Sequence, residues 1–198
     1  MAYFYSFLTE IRCLTYNYNI NVIIQKERGS KMEATIYTPA KVEIDIKEVT
    51  LLSVEEARRA EENVPDILAA THDFWWLRSP GNSAPYAAGV CNYGSVYTSG
   101  YGVNCDSNGV RPALRISNLK SLHLLIGSKI TVNNYSFTVV SRDLALCDQL
   151  IDHAPFNRDY KKGNVYETSD IKQVVDKWVV DNNITIQEGK KIICQRKH

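Results

Sequence analysis

The sequence predicts an α+β fold with short, irregular strands, and three observations support this prediction. Residues 41–46 alternate apolar and polar side chains, which is typical of a half-buried strand. Ser53 and Glu56 have the spacing of a capping box, which indicates that a helix begins there. Apolar side chains recur at helical spacing from Ile171 to Val179, which predicts a second, amphipathic helix.

Further short elements follow along the chain. The apolar run at residues 49–52 predicts a buried strand, and the first helix should end near residue 63, before a proline. Phe-Trp-Trp-Leu at residues 74–77 predicts an aromatic strand. Residues 79–114 predict short strands joined by tight turns, because they are rich in Gly, Ser, Asn and Tyr. Residues 111–116 predict one more strand.

The last third of the sequence predicts a hairpin and the amphipathic helix. Two strand-like segments, residues 129–132 and 135–141, flank an Asn-Asn pair, which is typical of a tight β-turn. The helix should extend over residues 170–180, with Thr168 or Ser169 as its N-cap.

The chain of 198 residues is long enough for one domain, and the pattern divides it into three parts. Residues 1–31 form an N-terminal extension, which is either an added strand or a non-native segment preceding a translation start at Met32. It makes a poor signal peptide, because charges interrupt its apolar run. Residues 32–118 carry the segment of interest. Residues 122–198 hold the hairpin and the second helix, which we expect to share the core of the preceding part, because fifty residues alone make a marginal core.

Composition excludes several classes of partner. The net charge is +1 and the charges are scattered, which argues against nucleic-acid binding and against a basic membrane-binding patch. The chain lacks the ~18 consecutive apolar residues of a membrane span, so no membrane insertion is expected.

The five cysteines include no CxxC pair, which argues against zinc. Asp106 is the one carboxylate in residues 79–114, which argues against calcium, so we expect no cofactor. Whether Cys91 and Cys105 pair stays open.

Residues 79–114, here called the Tyr/Asn segment, are the candidate binding region. They contain no Lys, Glu, Gln, Trp or Met. Tyr, Ser, Asn and Gly are typical of adaptable binding loops, because tyrosine offers a large contact area at low entropic cost. The candidate ligand-binding residues are the polar ones of this segment: Asn82, Ser83, Tyr86, Asn92, Tyr93, Ser95, Tyr97, Ser99, Tyr101, Asn104, Asp106, Ser107 and Asn108.

Small or apolar residues alternate with these candidates and form the predicted scaffold. The scaffold residues are Ala87, Ala88, Val90, Gly94, Val96, Val103 and Val110. A purely structural alternative stays open, because a Gly-rich β-region also disfavours long charged side chains. Under that alternative, the tyrosines only cover a sheet.

The sequence carries no catalytic motif, and we therefore expect a non-enzymatic protein without catalytic residues. His72-Asp73 and Asp152-His153 are adjacent pairs, and neighbours in sequence seldom form a catalytic dyad. Arg78 lies near the start of the Tyr/Asn segment, and Arg111 lies near its end. Both are predicted to have structural roles, stacked on aromatic rings or ion-paired, rather than to bind anions.

The flanks of the Tyr/Asn segment resemble a known signature. Residues 75–81, WWLRSPG, and 109–114, GVRPAL, closely resemble the WWLRSPG…GVRPAL signature of an uncharacterised domain family of Firmicutes and their phages. The resemblance extends to residues 49–58, VTLLSVEEAR. Residues 135–178 resemble phage proteins with the same signature and the half of the domain that normally precedes it, which implies a circular permutation here.

The resemblance implies a C-type-lectin-like fold of the formylglycine-generating-enzyme type. Several proteins of that fold are variable targets of diversity-generating retroelements, in which Asn codons mutate at adenines and never yield Lys, Glu, Gln, Trp or Met. The composition of the Tyr/Asn segment agrees with that rule. Formylglycine-generating enzymes use a cysteine pair, and neither Cys91 nor Cys105 maps onto it.

These observations lead to one expected function and two alternatives. We expect a receptor- or adhesin-like protein that binds a protein or glycan, for example on a host cell surface, and that is able to form oligomers. The alternatives are a phage structural protein and an enzyme related to formylglycine-generating, sulfatase-modifying proteins. The expected location is a phage particle or a bacterial cell.

Overall fold

The computed structural model describes residues 21–25, 33–37, 41–119, 122, 124–184, 186 and 192–197. In chain order, the strands are β1 (Asn21–Gln25), β2 (Glu33–Tyr37), β3 (Lys41–Ile44), β4 (Ile46–Thr50), β5 (Trp75–Pro80), β6 (Tyr86–Val90), β7 (Val96–Gly102), β8 (Gly109–Val110), β9 (Ala113–Ile116), β10 (Lys129–Val132), β11 (Tyr135–Val139), β12 (Leu144–Cys147), β13 (Asp152–His153) and β14 (Ile192–Lys197). The helices are α1 (Val54–Asn63) and α2 (Asp170–Asp181), with 3-10 turns at Tyr160–Lys162 and Tyr166–Thr168.

The fold is α+β, with strands that pair mostly antiparallel. One sheet has seven strands in the order β3-β14-β10-β11-β12-β9-β4, and a second has five in the order β13-β8-β5-β6-β7. The strands β1 and β2 pair with each other as a separate ribbon. Apart from β1, the predicted extension of residues 1–31 lies outside the described residues.

Both predicted helix starts are confirmed. The Ser53 side chain accepts a hydrogen bond from the Glu56 backbone N–H at 3.2 Å, and the Glu56 carboxylate accepts one from Ser53 N–H at 2.8 Å. Ser169 caps α2 by accepting a hydrogen bond from Lys172 N–H at 3.1 Å. Each cap satisfies N–H groups that a helix leaves without partners, which explains why the helices begin there. Neither helix, within the part of the chain described, is long and apolar enough to cross a bilayer.

The predicted hairpin is confirmed, and the predicted strand at residues 41–46 differs from the structure. Asn133, with a left-handed φ of 53°, lies in the turn that joins β10 to β11. The period-two segment is broken at Asp45 into β3 and β4, which lie at opposite edges of the seven-stranded sheet. Because Asp45 alone separates these strands, their adjoining ends are within about 7 Å, so the two edges of the sheet come close together at this end.

Alternate residues of the central strands divide between two apolar clusters. Trp76 on β5 and Leu114 on β9 join the first cluster, where Ile171, Val175 and Trp178 of α2 also pack. Their sequence neighbours Trp75 and Ala113 join the second cluster with Val54, Ala57 and Ala60 of α1. The period of two in a strand explains this division, and it places one helix against each cluster.

Residues on both sides of position 118 contribute to the same sheet and core. Strand β9 pairs with β4 on one side and with β12 on the other. Trp76 belongs to the same buried cluster as Phe137 and Trp178. The Tyr/Asn segment is therefore held by elements that come before and after it in the chain.

Candidate functional site

The Tyr/Asn segment builds the outer part of the five-stranded sheet. Strand β5 brings in the two tryptophans, and β6 pairs with it so that Trp76 lies opposite Gly89. Strand β7 pairs with β6 and forms the edge, with Tyr97 opposite Gly89 and Tyr101 opposite Ala87. The segment thus presents one edge strand and several connecting loops.

The scaffold residues of this segment are mostly buried, and two glycines are required by close backbone approach. Ala87, Ala88, Val90, Val103 and Val110 are fully buried, Val96 and Gly94 are half-buried. Gly94 has a φ of +91° and lies against Ala69. Gly100 also has a φ of +91°, and a Cβ there would lie 2.7 Å from the Ala87 carbonyl oxygen.

The candidate ligand-binding residues face solvent, with two exceptions. Tyr101 is half-buried, and Asn108 is only 3% exposed. The Cys105 thiol donates to the Asn108 Oδ1 at 3.7 Å, so this amide supports its own loop and leaves the set of surface candidates. The exposed candidates are Asn82, Ser83, Tyr86, Asn92, Tyr93, Ser95, Tyr97, Ser99, Asn104, Asp106 and Ser107.

An aromatic cluster, made of Phe74, Tyr97 and Tyr101, covers one face of this sheet. The Tyr101 ring lies 5.0 Å from the Tyr97 ring and 5.7 Å from the Phe74 ring, measured between centroids. It also meets the buried Trp76 edge-on at 6.2 Å. The Tyr101 ring lies over Gly89, where a Cβ would come within 2.9 Å of it. The cluster therefore rests on the core through Tyr101, while the Tyr97 ring remains 43% exposed.

The Cys91 thiol links this cluster to the neighbouring turn. Its Sγ lies 3.0 Å from the Tyr101 hydroxyl oxygen. Burial, together with a smaller contribution from this hydrogen bond, raises the pKa of Tyr101 well above its ordinary value. Interaction with the Cys91 side chain also raises the pKa of Tyr93. Both phenols are consequently neutral at physiological pH, and this part of the surface is polar without being charged.

Cys91 and Cys105 are both free thiols with separate partners. Cys91 lies against Tyr101, while the Cys105 Sγ lies 3.2 Å from the Ser107 hydroxyl. The structure therefore shows no disulfide between them.

A histidine–aspartate pair that sequence reasoning missed lies beside the aromatic cluster. His153 Nε2 lies 2.8 Å from an Asp73 carboxylate oxygen, and both side chains are partly exposed. Asp152, the sequence neighbour, accepts a hydrogen bond from the His153 backbone instead. Strand β13 brings His153 to this place by pairing with β8, whose Gly109 N–H donates to the Phe74 carbonyl. No local pattern could have predicted a contact across eighty positions.

The two signature arginines have structural roles, as the sequence predicted. Arg111 is fully buried, lies 5.0 Å over the Trp75 ring, and donates to the carbonyls of Cys147 and Ile67 at 2.8 and 2.9 Å. Burial lowers the pKa of Arg111 to about 10, so the side chain is still charged at neutral pH. Arg78 donates to the Leu51 carbonyl and to the Glu56 carboxylate. Both arginines therefore hold neighbouring backbone segments in place.

Asn164 is a second residue that sequence reasoning missed. Its side-chain amide donates to the backbone carbonyls of Ser83 and Tyr86 at 3.1 and 2.8 Å. The amide thereby supports the loop that carries three candidate residues. An isolated asparagine eighty residues away gives no sequence signal for such a role.

Comparisons with known proteins give no information about the function of this chain. No family model, curated protein or solved structure matches the chain. Among the residues that the structure describes, no group of three His, Cys, Asp or Glu side chains is placed to hold a metal ion.

Proposed function

We propose that this protein is a non-enzymatic, receptor- or adhesin-like ligand-binding protein, and that the exposed candidates of the Tyr/Asn segment form its binding surface. One observation carries the proposal. Polar and aromatic side chains of this segment face solvent, while the small residues between them, such as Ala87, Ala88 and Val90, are fully buried. Side chains arranged in this way are free to contact a partner without contributing to the core.

The chemistry of the exposed side chains suits recognition of a macromolecule. Tyr86, Tyr93 and Tyr97 are 42%, 71% and 43% exposed, so much of their ring area is open to a partner. Exposed tyrosines supply contact area and a hydroxyl at low entropic cost, and the neighbouring serines and asparagines supply adaptable hydrogen bonds. The partner we propose is a protein or glycan displayed on a cell surface.

We extend the proposal to the fold family and to the origin of the segment. The signature residues Trp75, Trp76 and Arg111 are buried and connected to one another or to the core, which is consistent with a signature that serves folding. The missing residue types and the exposure of the Asn, Tyr and Ser positions support a C-type-lectin-like variable protein. Diversification by a retroelement would then change the surface and leave the buried scaffold intact.

Binding to intact cells tests the proposal. The fluorescently labelled full chain is incubated with a panel of bacterial strains and measured by flow cytometry. A triple variant, with Tyr86→Ser, Tyr93→Ser and Tyr97→Ser, should lose at least about tenfold in affinity, because interface tyrosines often contribute more than 1 kcal/mol each. Tyr160→Ser is the matched control, because Tyr160 is 56% exposed and lies outside the segment.

Two results decide between the proposal and its structural alternative. Equal melting temperatures for the triple variant and the control, with binding lost only in the triple variant, support the proposal. If the triple variant binds as tightly as the control, the tyrosines merely cover the sheet and the proposed surface is wrong.

A further inference from the structure

A polar groove lies between α1 and the turn that joins β6 to β7. It has a volume of about 600 Å³ and is lined by Arg58, Glu61 and Glu62 of α1, by Leu68, and by Tyr93, Gly94, Ser95 and Val96. The groove is shallow and open to solvent on one side. The groove begins where the proposed binding surface ends, because Tyr93 and Ser95 belong to both.

The two walls of the groove differ in charge. The wall from the Tyr/Asn segment offers the Tyr93 ring and the Ser95 hydroxyl, both exposed and neutral. The wall from α1 carries charged side chains on consecutive turns of a well-capped helix. One wall therefore comes from the proposed variable region, and the other comes from a rigid element outside it.

Two charged groups on the helical wall make no side-chain hydrogen bond or ion pair among the described residues. The Glu61 carboxylate accepts hydrogen bonds from the backbone N–H groups of Asp66 and Leu68 at 2.9 and 3.1 Å, so it holds the following turn. The two groups without such bonds are Arg58 and Glu62, which are both exposed, and Arg58 interacts through its charge with the exposed Glu55. These two planar groups remain available to a ligand.

We propose that this groove binds a glycan, an inference that rests on the proposed function and names its ligand class. Glu62 accepts hydrogen bonds from sugar hydroxyls, Arg58 donates to them, and the Tyr93 ring stacks against the apolar face of a pyranose. Paired acceptors and donors on planar groups suit vicinal hydroxyls, because each group makes two parallel hydrogen bonds.

The groove fits a glycan better than a peptide because it has little apolar area to offer. Leu68 is 1% exposed and Val96 is half-buried, so the floor provides no pocket for an apolar anchor. Protein interfaces depend on such anchors in desolvated pockets. Sugars depend instead on hydrogen bonds and on stacking against an exposed ring, and the Tyr93 ring is the exposed ring of this groove.

The experiment measures binding of the full chain to printed arrays that carry bacterial capsular and wall polysaccharides in one block and animal glycans in another. Arg58→Ala and Glu62→Ala are the test variants, and Arg59→Ala and Glu167→Ala are matched controls that are exposed and do not line the groove. Alanine is the best helix former, so α1 is expected to keep its fold in the three variants at positions 58, 59 and 62.

We expect wild type to bind at least one glycan in one of the two blocks, and the block identifies its source. Each test variant should weaken that binding by about tenfold or more, as loss of a charge-assisted hydrogen bond does, while the controls stay within twofold. Melting temperatures should be equal across the set.

Two results would contradict glycan binding in the groove without contradicting the proposed function. In the first, the array glycan is bound equally by wild type, Arg58→Ala and Glu62→Ala, yet is lost in the triple tyrosine variant. In the second, binding to cells persists without any array glycan being recognised, and protease treatment of the cells abolishes it. By contrast, retention of cell binding by the triple variant would overturn the proposed function itself.

Discussion

The seven-stranded and five-stranded sheets bury different kinds of side chain. The larger sheet buries large side chains such as Ile130, Phe137 and Leu146. In the smaller sheet, β6 and β7 bury mostly alanine and glycine, and the bulk comes from the tryptophans of β5. Backbones approach closely there, as at Gly100.

This difference predicts that the smaller sheet tolerates substitutions of a kind that would destabilise the larger sheet. In β4 and β9 to β12 of the larger sheet, most side chains are buried, so a substitution there leaves a cavity or an overlap. In the smaller sheet, β5 and the small residues of β6 supply the packing, so the outward side chains of β7 and its flanking turns add little. Substitutions at buried, hydrogen-bonded and exposed positions should therefore differ in their effect on stability, from largest to smallest.

The largest effect is expected at the buried base of the smaller sheet. Trp76→Ala should lower the free energy of unfolding by about 3–5 kcal/mol, because it removes a fully buried ring and leaves a cavity. It also removes the indole N–H that donates to the Ala154 carbonyl at 2.8 Å. Urea unfolding measures the change, with Phe137→Ala as the equivalent loss in the larger sheet. A cost below about 1 kcal/mol would show that β5 does not support the sheet.

An acid-dependent effect is expected at Glu56, which connects α1 to both sheets. Burial raises the pKa of Glu56, but hydrogen bonds from Arg78, from the Ser53 backbone and from Arg115 outweigh burial and lower the pKa from 4.5 to about 2. A carboxyl with a lowered pKa in the folded state stabilises the protein above its unfolded pKa. That stabilisation is lost as the pH falls from about 5 to about 2.

Glu56→Gln should therefore be less stable than wild type at neutral pH, by up to about 3 kcal/mol, and the difference should shrink as the pH falls through this window. Thermal unfolding between pH 7 and pH 2.5 measures it. Glu167→Gln, at an exposed position, is the control. Parallel stability curves for wild type and Glu56→Gln would contradict the structural role of the carboxylate.

The smallest effects are expected at the exposed tyrosines, and Tyr101 should differ from them. Tyr97→Ser and Tyr93→Ser should each change the free energy of unfolding by less than about 1 kcal/mol. Tyr101→Ser should cost about 1–3 kcal/mol, because the ring is half-buried and its hydroxyl is bonded to Cys91. Chemical denaturation of the three variants side by side measures this order. Equal costs at Tyr97 and Tyr101 would remove the distinction between surface and scaffold.

Local patterns predicted local structure well. The capping box at Ser53, the Asn-Asn hairpin and the buried face of α2 were confirmed, because each depends on residues a few positions apart. The structural roles of Arg78 and Arg111 were also confirmed: Arg111 stacks over the Trp75 ring and Arg78 forms an ion pair with Glu56.

Long-range contacts could not be predicted from the sequence. The break at Asp45 arises because β3 pairs with β14 while β4 pairs with β9. The contact of His153 with Asp73 depends on the position of β13. Tyr101 and Asn108 match their exposed neighbours in residue type, and only the tertiary structure shows that one is half-buried and the other buried. Composition identified the segment, while the fold decided which of its side chains reach solvent.

The central claim is that the exposed candidates of the Tyr/Asn segment bind ligand without stabilising the fold. It is tested most directly by randomising all of these positions together, with Tyr101, Asn108 and the scaffold residues unchanged, and sorting the displayed library for protease resistance and for cell binding. The account predicts that most members resist protease like wild type and that few retain its binding. A library in which most members lose protease resistance would show that these side chains hold the sheet together, and the claim would be wrong.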